Sequence, residues 1–255
     1  MTTDAMRLTW TAHHPLRSLS MTAILITGAN KGLGLETARQ LVSAGHKVFL
    51  GSRDAARGLR AANDVGAMPV QLDVTDDASV TAAAAVVAAA GGLDVLINNA
   101  GVQAEMGEQG VLGAAEHTAD MMRTTLETNV IGPVRVLHAF LPLLQQSSAP
   151  VVVNVSSGLA SLANLSSPDF QGYHYPGVAY PTSKAALNMI TVQYAKAFPG
   201  MRINSVEPGF TKTDLNHNTG HQSVEEGAAV IVGLALIGPD GPTGGYFDAN
   251  GPLPW

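Results

Sequence analysis

From residue 22 onward the chain alternates between two hydrophobic rhythms. Short, almost unbroken apolar runs rich in β-branched residues occur at 23–28 (AILITG), 47–52 (KVFLGS), 69–73 (PVQLD), 93–100 (LDVLINNA), 150–157 (PVVVNVSS), 202–208 (RINSVEP) and 245–249 (GYFDA). Between them, apolar positions recur every three or four residues, at 33–44, 77–90, a long stretch from about 118 to 146, and 224–236. The first rhythm suits strands and the second suits helices. Strands that are apolar at nearly every position need cover on both faces, which a parallel sheet between two helical layers provides. The pattern therefore predicts an α/β fold, a doubly wound parallel sheet of about seven strands. Ser223 and Glu226 stand three apart at the head of the last helix, the spacing of a capping box. The alanine-rich stretch 82–90 suits a buried helix, because alanine is the best helix former and packs closely.

Length and composition narrow the picture. The 255 residues fit one large domain, expected over 21–255, with residues 1–20 as a poorly ordered tail. Apolar residues make up 46% and charged residues only 13%, enough for a sizeable core. The net charge is −6 and no dense basic run occurs, which disfavours nucleic acid and anionic membranes as partners. Cysteine is absent, so disulfides, thiolate metal sites and a cysteine nucleophile are excluded. No apolar run reaches the length of a membrane span, and the first twenty residues lack the apolar centre of a secretory signal. A cytoplasmic protein is expected. His217 and His221 have i,i+4 spacing, but Gly220 and the polar context read as a surface loop over a pocket, and no metal site is expected.

Two segments carry candidate chemistry. TGANKGLG (27–34) follows the first strand and opens the first helix. Glycines there let the backbone approach a pyrophosphate, and free N–H groups at the helix start receive its charge. In VAYPTSKAALNMI, Tyr180 and Lys184 are four apart, which in a helix stacks them on one face. An ammonium about 4 Å from a phenol, at an effective dielectric of about 20, is worth roughly 4 kcal/mol. Bringing a phenol from about pH 10 to neutrality costs about the same. Lys184 alone is thus expected to make Tyr180 a usable proton donor near neutral pH. By itself Tyr-x-x-x-Lys is common in solvated helices, so its weight comes from its surroundings.

The spacing Gly28-x-x-x-Gly32-x-Gly34 resembles that of the short-chain dehydrogenase/reductase family, Rossmann-type oxidoreductases that use nicotinamide cofactors. The resemblance covers the chain from about residue 22 to its end. It implies cofactor contacts from Gly28, Asn30, Lys31, Gly32, Leu33 and Gly34 of the loop. LDV (72–74) resembles the segment that contacts the adenine, implicating Asp73 and the backbone of Val74. NNAG (98–101) resembles the family signature beside the cofactor ribose, with Asn99, Ala100 and Gly101. PGFTKT (208–213) resembles the segment at the nicotinamide end, with Gly209, Phe210, Thr211 and Thr213. The implied catalytic set is Asn129 in ETNVIGP, Ser157 as the second serine of NVSSG, Tyr180 and Lys184. Within the family the nearest likeness is to carbonyl-reductase-like members. The expected activity is that of an NADPH-dependent reductase converting a ketone or aldehyde to an alcohol, reversibly. Tyr180 would be the proton donor and Ser157 the group that holds the carbonyl. Lys184 would also bind the ribose hydroxyls, and Asn129 would kink its helix and hold a water that links Lys184 to solvent. The expected partner is a small carbonyl or alcohol substrate, and the chain is expected to be a monomer or homo-oligomer. A non-catalytic cofactor-sensing or scaffold protein on the same fold is the alternative; loss of Tyr180 or Lys184 would be its usual sign.

Local charges favour NADP over NAD, which stays possible. An enzyme that binds a free ribose 2′-hydroxyl places an acid about 20 residues past the glycines. Here Ser52 occupies that place and Arg53 follows, with Lys31 inside the loop on the same side. Two cations suit a 2′-phosphate, which a guanidinium can grip with two hydrogen bonds. The competing reading has Arg53 solvated and Asp54 serving the ribose.

The chain departs from the family in one place. Tyr180 follows Ser157 by 23 positions, longer than the family usually shows. The added segment, with Pro168, Tyr173, His174, Tyr175 and Pro176, must bulge near the pocket or near the helix used for subunit pairing. The C-terminal GPLPW is expected over the pocket or against a neighbouring subunit.

Overall fold

The structure, a computed structural model, describes residues 21–255; the expected tail at 1–20 lies outside the described residues. β1 (Ala23–Ile26) is followed by α1 (Gly32–Ser43), β2 (Lys47–Ser52), α2 (Ala55–Val65), β3 (Met68–Gln71), α3 (Asp77–Ala89) and β4 (Val95–Asn98). A small hairpin of β5 (Met106–Gly107) and β6 (Gly110–Val111) precedes α4 (Ala119–Leu126), a π-helical turn at Glu127–Ile131, and α5 (Gly132–Leu144). β7 (Val151–Val155) then leads through the short α6 (Leu162–Leu165) to α7 (Ala179–Ala197). β8 (Arg202–Val206), α8 (Val224–Ala235), β9 (Tyr246–Asp248) and β10 (Gly251–Pro252) complete the chain.

Eight strands form one sheet in the order β10-β9-β8-β7-β4-β1-β2-β3. Every pairing is parallel except that of β10, which runs antiparallel to β9. The seven expected strands correspond to β1–β4 and β7–β9. β10 is two residues long and contains glycine and proline, so no hydrophobic pattern announces it.

Alternation along the strands sorts their side chains into two cores. Ile24, Ile26, Val48, Leu50, Val95, Ile97, Val151 and Val153 face α1, α2 and α8, with Ala38, Leu41, Ala61 and Ile231 packed on them. Leu25, Phe49, Leu96, Val152 and Ile203 face the other way, against Val80 and Val87 of α3, Val136, Leu137, Phe140 and Leu144 of α5, and Ala195 of α7. That is why the strands read as unbroken apolar runs: both faces are buried. The capping box holds at α8, where Ser223 Oγ accepts from Glu226 N at 3.3 Å and Glu226 Oε2 accepts from Ser223 N at 3.0 Å.

The long helical stretch expected over 118–146 runs as α4 and α5, continuous through the π-helical turn that contains Asn129. One expectation about helices is corrected: the alanine-rich helix is not buried. Val80, Ala83 and Val87 of α3 face the core, while Ala82, Ala85, Val86, Ala88 and Ala89 are exposed. Alanine tolerates either environment, so its run carries helix propensity without specifying burial.

Candidate active site

The chain order reverses between β1 and β4: β2 and β3 extend the sheet one way, and β7 to β10 the other. At such a switch point the loops leave the strand ends in opposite directions and open a crevice. An open cleft of about 1580 Å³ lies there, and every residue expected to touch cofactor lines it. Ser157, Tyr180 and Lys184 line it as well; Asn129 does not.

The glycine loop is shaped by close approach. Gly28 has φ +63° and lies so near the next layer that a Cβ would come within 2.8 Å of Ala100 Cα. Gly32 has φ +56°, and a Cβ on Gly34 would meet Asn99 Nδ2 and sit 2.9 Å from Ala29 Cα. Asn99 clamps the loop, its Nδ2 donating to the carbonyls of Thr27 (2.9 Å) and Gly28 (3.1 Å). Thr27 Oγ1 in turn accepts from the N–H groups of Asn99 and Ala100, each at 3.0 Å. The N-cap of α1, Lys31, offers no side-chain cap, so the first-turn N–H groups are left for another acceptor.

At the adenosine end the residues separate into engaged and free groups. Ser52 is fully buried, its hydroxyl donating to the carbonyl of Asp54 at 2.9 Å, so its side chain packs under α2 instead of facing the cleft. Asp54 caps α2, accepting from Arg57 N at 2.9 Å and Arg57 Nε at 2.8 Å, which holds its carboxyl below the usual range. Among the described residues the Arg53 guanidinium has no partner, and it is exposed on the cleft. Lys31 is not free: its Nζ pairs with Asp214 Oδ2 at 2.8 Å across the mouth. Both groups are exposed, so this pair is worth only about 0–1 kcal/mol and exchanges readily. Asp73 Oδ1 is turned to its own loop, accepting from Thr75 N (2.9 Å) and Thr75 Oγ1 (2.7 Å).

At the inner end Tyr180 and Lys184 occupy the first two turns of α7, and Ser157 lies close enough to the Tyr180 phenol to favour its ionised form. Ser157 stands just past β7, where its hydroxyl also accepts from Leu159 N at 3.3 Å. Ser156 is turned away, its hydroxyl donating to Asn188 Oδ1 at 2.8 Å in the core. Lys184 is buried, donates to the carbonyl of Val155 at 2.7 Å, and holds its Nζ over the Tyr180 ring, 5.6 Å from the centroid.

The expected effect of that lysine on the phenol is corrected. Burial pushes Tyr180 up to about 12; the Ser157 hydroxyl opposes this, and the carboxylates of Glu207 and Glu105 push further upward. Lys184 does not reverse the rise, and burial lowers its own ammonium to about 8. Burial disfavours the phenolate and the ammonium alike, and here that penalty outweighs their mutual attraction.

Asn129 acts from behind the cleft wall. Its Oδ1 accepts from Val102 N (2.8 Å), and its Nδ2 donates to the carbonyl of Val102 (2.9 Å) and to Ser183 Oγ (3.0 Å). The amide therefore ties the π-helical turn to the loop after β4 and to α7.

Several site residues carried no sequence signal. Glu207, between β8 and Pro208, lines the cleft; burial raises its carboxyl, and the nearby N–H groups of Gly158 and Gly209 oppose that rise. Tyr246 of β9 donates its hydroxyl to the carbonyl of Ser157. Glu105 is completely buried and accepts from Tyr180 N at 2.7 Å. These contacts join segments distant in sequence, which periodicity cannot reveal.

The insert and the tail both wall the pocket of their own chain. Phe170, His174 and Tyr175 of the insert line the cleft, and Gln103 Nε2 donates to the Tyr175 hydroxyl. In the tail, Leu253 lines the cleft and Trp255 stacks on Tyr246 with ring centroids 5.5 Å apart. The carbonyl of Trp255 accepts from Ala163 N at 3.1 Å. His217 and His221 also border the cleft, His221 edge-on to Phe210 at 5.5 Å. No group of three or more His, Cys, Asp or Glu side chains among the described residues is placed to hold a metal ion.

Residues 22–224 match the short chain dehydrogenase family. The chain belongs to that family. Short-chain dehydrogenase/reductase 1 of Saponaria officinalis is 35% identical over 287 residues, covering 91% of this chain and 95% of the relative. (+)-Neomenthol dehydrogenase of Arabidopsis thaliana is 35% identical over 279 residues, covering 88% of this chain and 94% of the relative. Among solved structures, NADPH-bound carbonyl reductase from chicken fatty liver superposes with a TM-score of 0.79 at 28% identity, covering 93% of this chain and all of the other. As a short-chain dehydrogenase the chain is expected to hold a nicotinamide dinucleotide, and its own geometry fits one. The cradle at Gly28 and Gly34 has no room for a Cβ, and the uncapped start of α1 opens on the cleft. No helix among the described residues is long and apolar enough to cross a membrane.

Proposed function

We propose that residues 21–255 form one catalytic unit, an NADPH-dependent reductase that converts a ketone or aldehyde to an alcohol, reversibly. One observation carries this reading: Tyr180 and Ser157 stand together at the inner end of the same cleft that the glycine cradle opens. When bound, the dinucleotide supplies or accepts a hydride. Everything else falls to this chain's side chains. Tyr180, kept protonated by its buried setting, gives its proton to the carbonyl oxygen as negative charge develops there. A phenol is far more acidic than the alcohol it forms, so the transfer runs downhill. Ser157 holds and polarises the same oxygen through its hydroxyl. Lys184 stabilises the phenolate left behind and binds the ribose hydroxyls, and Asn129 keeps the wall beside it in register.

The preference for NADPH is supported by the adenosine end. Arg53 offers a guanidinium on the cleft that is unpaired among the described residues, Asp54 is committed to capping α2, and Lys31 is held there by an exposed ion pair. The names of relatives such as (+)-neomenthol dehydrogenase and salutaridine reductase support a small organic carbonyl or alcohol as substrate. The deciding experiment follows NADPH and NADH oxidation against ketones, aldehydes and quinones, with Tyr180→Phe as the blank. Consumption no greater than the blank for every compound would overturn the reading.

A further inference from the structure

Glu105 lies in the loop after β4 and is 0% exposed. Its Oε1 accepts from the backbone N–H of Tyr180 at 2.7 Å, a contact between residues 75 apart in sequence. Its Oε2 has no hydrogen-bond partner among the described residues. Tyr180 is the second residue of α7, so its N–H is one of the four that a helix start cannot satisfy internally. The local N-cap, Val178, has no side-chain oxygen to offer. Gly177 makes room: a Cβ there would come within 2.8 Å of Glu105 Oε1. The carbonyl of Glu105 also accepts from Leu112 N at 2.9 Å, which ties its backbone to the end of the β5–β6 hairpin on the cleft rim.

We infer that Glu105 is the positioning residue of Tyr180, closing the N-terminus of α7 on the amide of Tyr180 itself and fixing where that phenol stands beside Ser157. The role rests on the reading of Tyr180 as the proton donor. It differs from an ordinary cap in two ways. The capped amide belongs to the reacting residue, and the capping group is a buried carboxylate whose charge reaches the phenol. The titratable groups that face Tyr180 are Lys184 from its own helix, Glu207 after β8, Tyr246 of β9, Tyr175 of the insert and Glu105. Of the two carboxylates that push the phenol upward, Glu105 is the one bonded to its backbone.

Two variants separate the geometric from the electrostatic part. Glu105→Gln keeps an acceptor oxygen for the Tyr180 amide and removes the charge; Glu105→Leu removes both. Glu105→Leu should lose on the order of tenfold to a hundredfold in kcat with little change in KM, as small misplacements of a reacting group do. Glu105→Gln should restore kcat to within about threefold, since the acceptor for the Tyr180 amide is kept and only the charge is missing. A merely structural glutamate would lower Tm without that split or that rescue. The second readout needs no turnover. Tyrosinate absorbance is titrated in the parent and in Glu105→Gln, each against the same protein carrying Tyr180→Phe. The Tyr180 transition should move to lower pH in Glu105→Gln. An unmoved transition overturns the assignment, including where Glu105→Leu fails to fold. A transition that moves in a protein without carbonyl reductase activity would sink the reading of function and leave the contact between Glu105 and Tyr180 standing.

Discussion

The Lys184 ammonium stands 5.6 Å above the centre of the Tyr180 ring and gives a hydrogen bond to the carbonyl of Val155, away from bulk water. The two groups are shifted by the same burial in opposite chemical senses, the phenol up to about 12 and the ammonium down to about 8. For Lys184 this has a thermodynamic consequence. Its pKa in the folded protein lies below its ordinary 10.5, so between about pH 8 and 10.5 the unfolded chain binds more protons than the folded one. Stability must therefore rise with pH across that window. The penalty for burying the charge is fully present below pH 8 and is relieved as pH climbs towards 10.5. Lys184→Met removes the titration. The difference in unfolding free energy between parent and variant should shift in favour of the parent by about 3 kcal/mol between pH 7.5 and 10.5. Urea denaturation at several pH values measures it; a difference independent of pH would refute the buried lysine.

Tyr180→Phe should abolish turnover and leave cofactor affinity close to the parent's. The ring keeps its packing while the hydroxyl beside Ser157 and the transferable proton are lost. Steady-state kinetics with fluorescence titration of NADPH tests both halves. Retention of more than a few per cent of kcat would remove Tyr180 from the mechanism.

Arg53→Ala should weaken NADPH and barely change NADH. A hydrogen bond from a charged group contributes about 1.5–3 kcal/mol, which corresponds to roughly tenfold to a hundredfold in kcat/KM. The buried Ser52 makes a poorer switch site, because its side chain packs against α2 and its hydroxyl is bonded to Asp54. Equal losses for the two cofactors would mean that Arg53 does not reach the 2′-phosphate.

Gly34→Ala should destabilise the fold by about 1–3 kcal/mol, the usual cost of an added methyl in a packed site. The new Cβ would run into Asn99 Nδ2 and press on Ala29 Cα, so the clamp on the glycine loop would shift. NADPH affinity should fall together with Tm. Unchanged affinity in a folded variant would show that the clamp is not needed for the cradle.

The sequence by itself determined the α/β class, the succession of strands and helices along the chain, and the family. Apolar runs buried on both faces have only one common architecture, and the Gly28-x-x-x-Gly32-x-Gly34 loop owes its form to steric demands that no other residue meets. Alanine in α3 shows the limit of such reading, since helix propensity says nothing about which face is covered. Only the tertiary structure decided how the groups influence one another. The spacing of Tyr180 and Lys184 suggested a phenol made acidic by a neighbouring cation. Burial of both groups, with Glu105 and Glu207 brought in from other parts of the chain, reverses the sign. Asn129 in its π-helical turn, Ser52 under α2 and Trp255 on Tyr246 are likewise fixed by their tertiary surroundings. Local pattern records what a segment buries; it does not record what it is buried against, and the electrostatics of this cleft depend on the second.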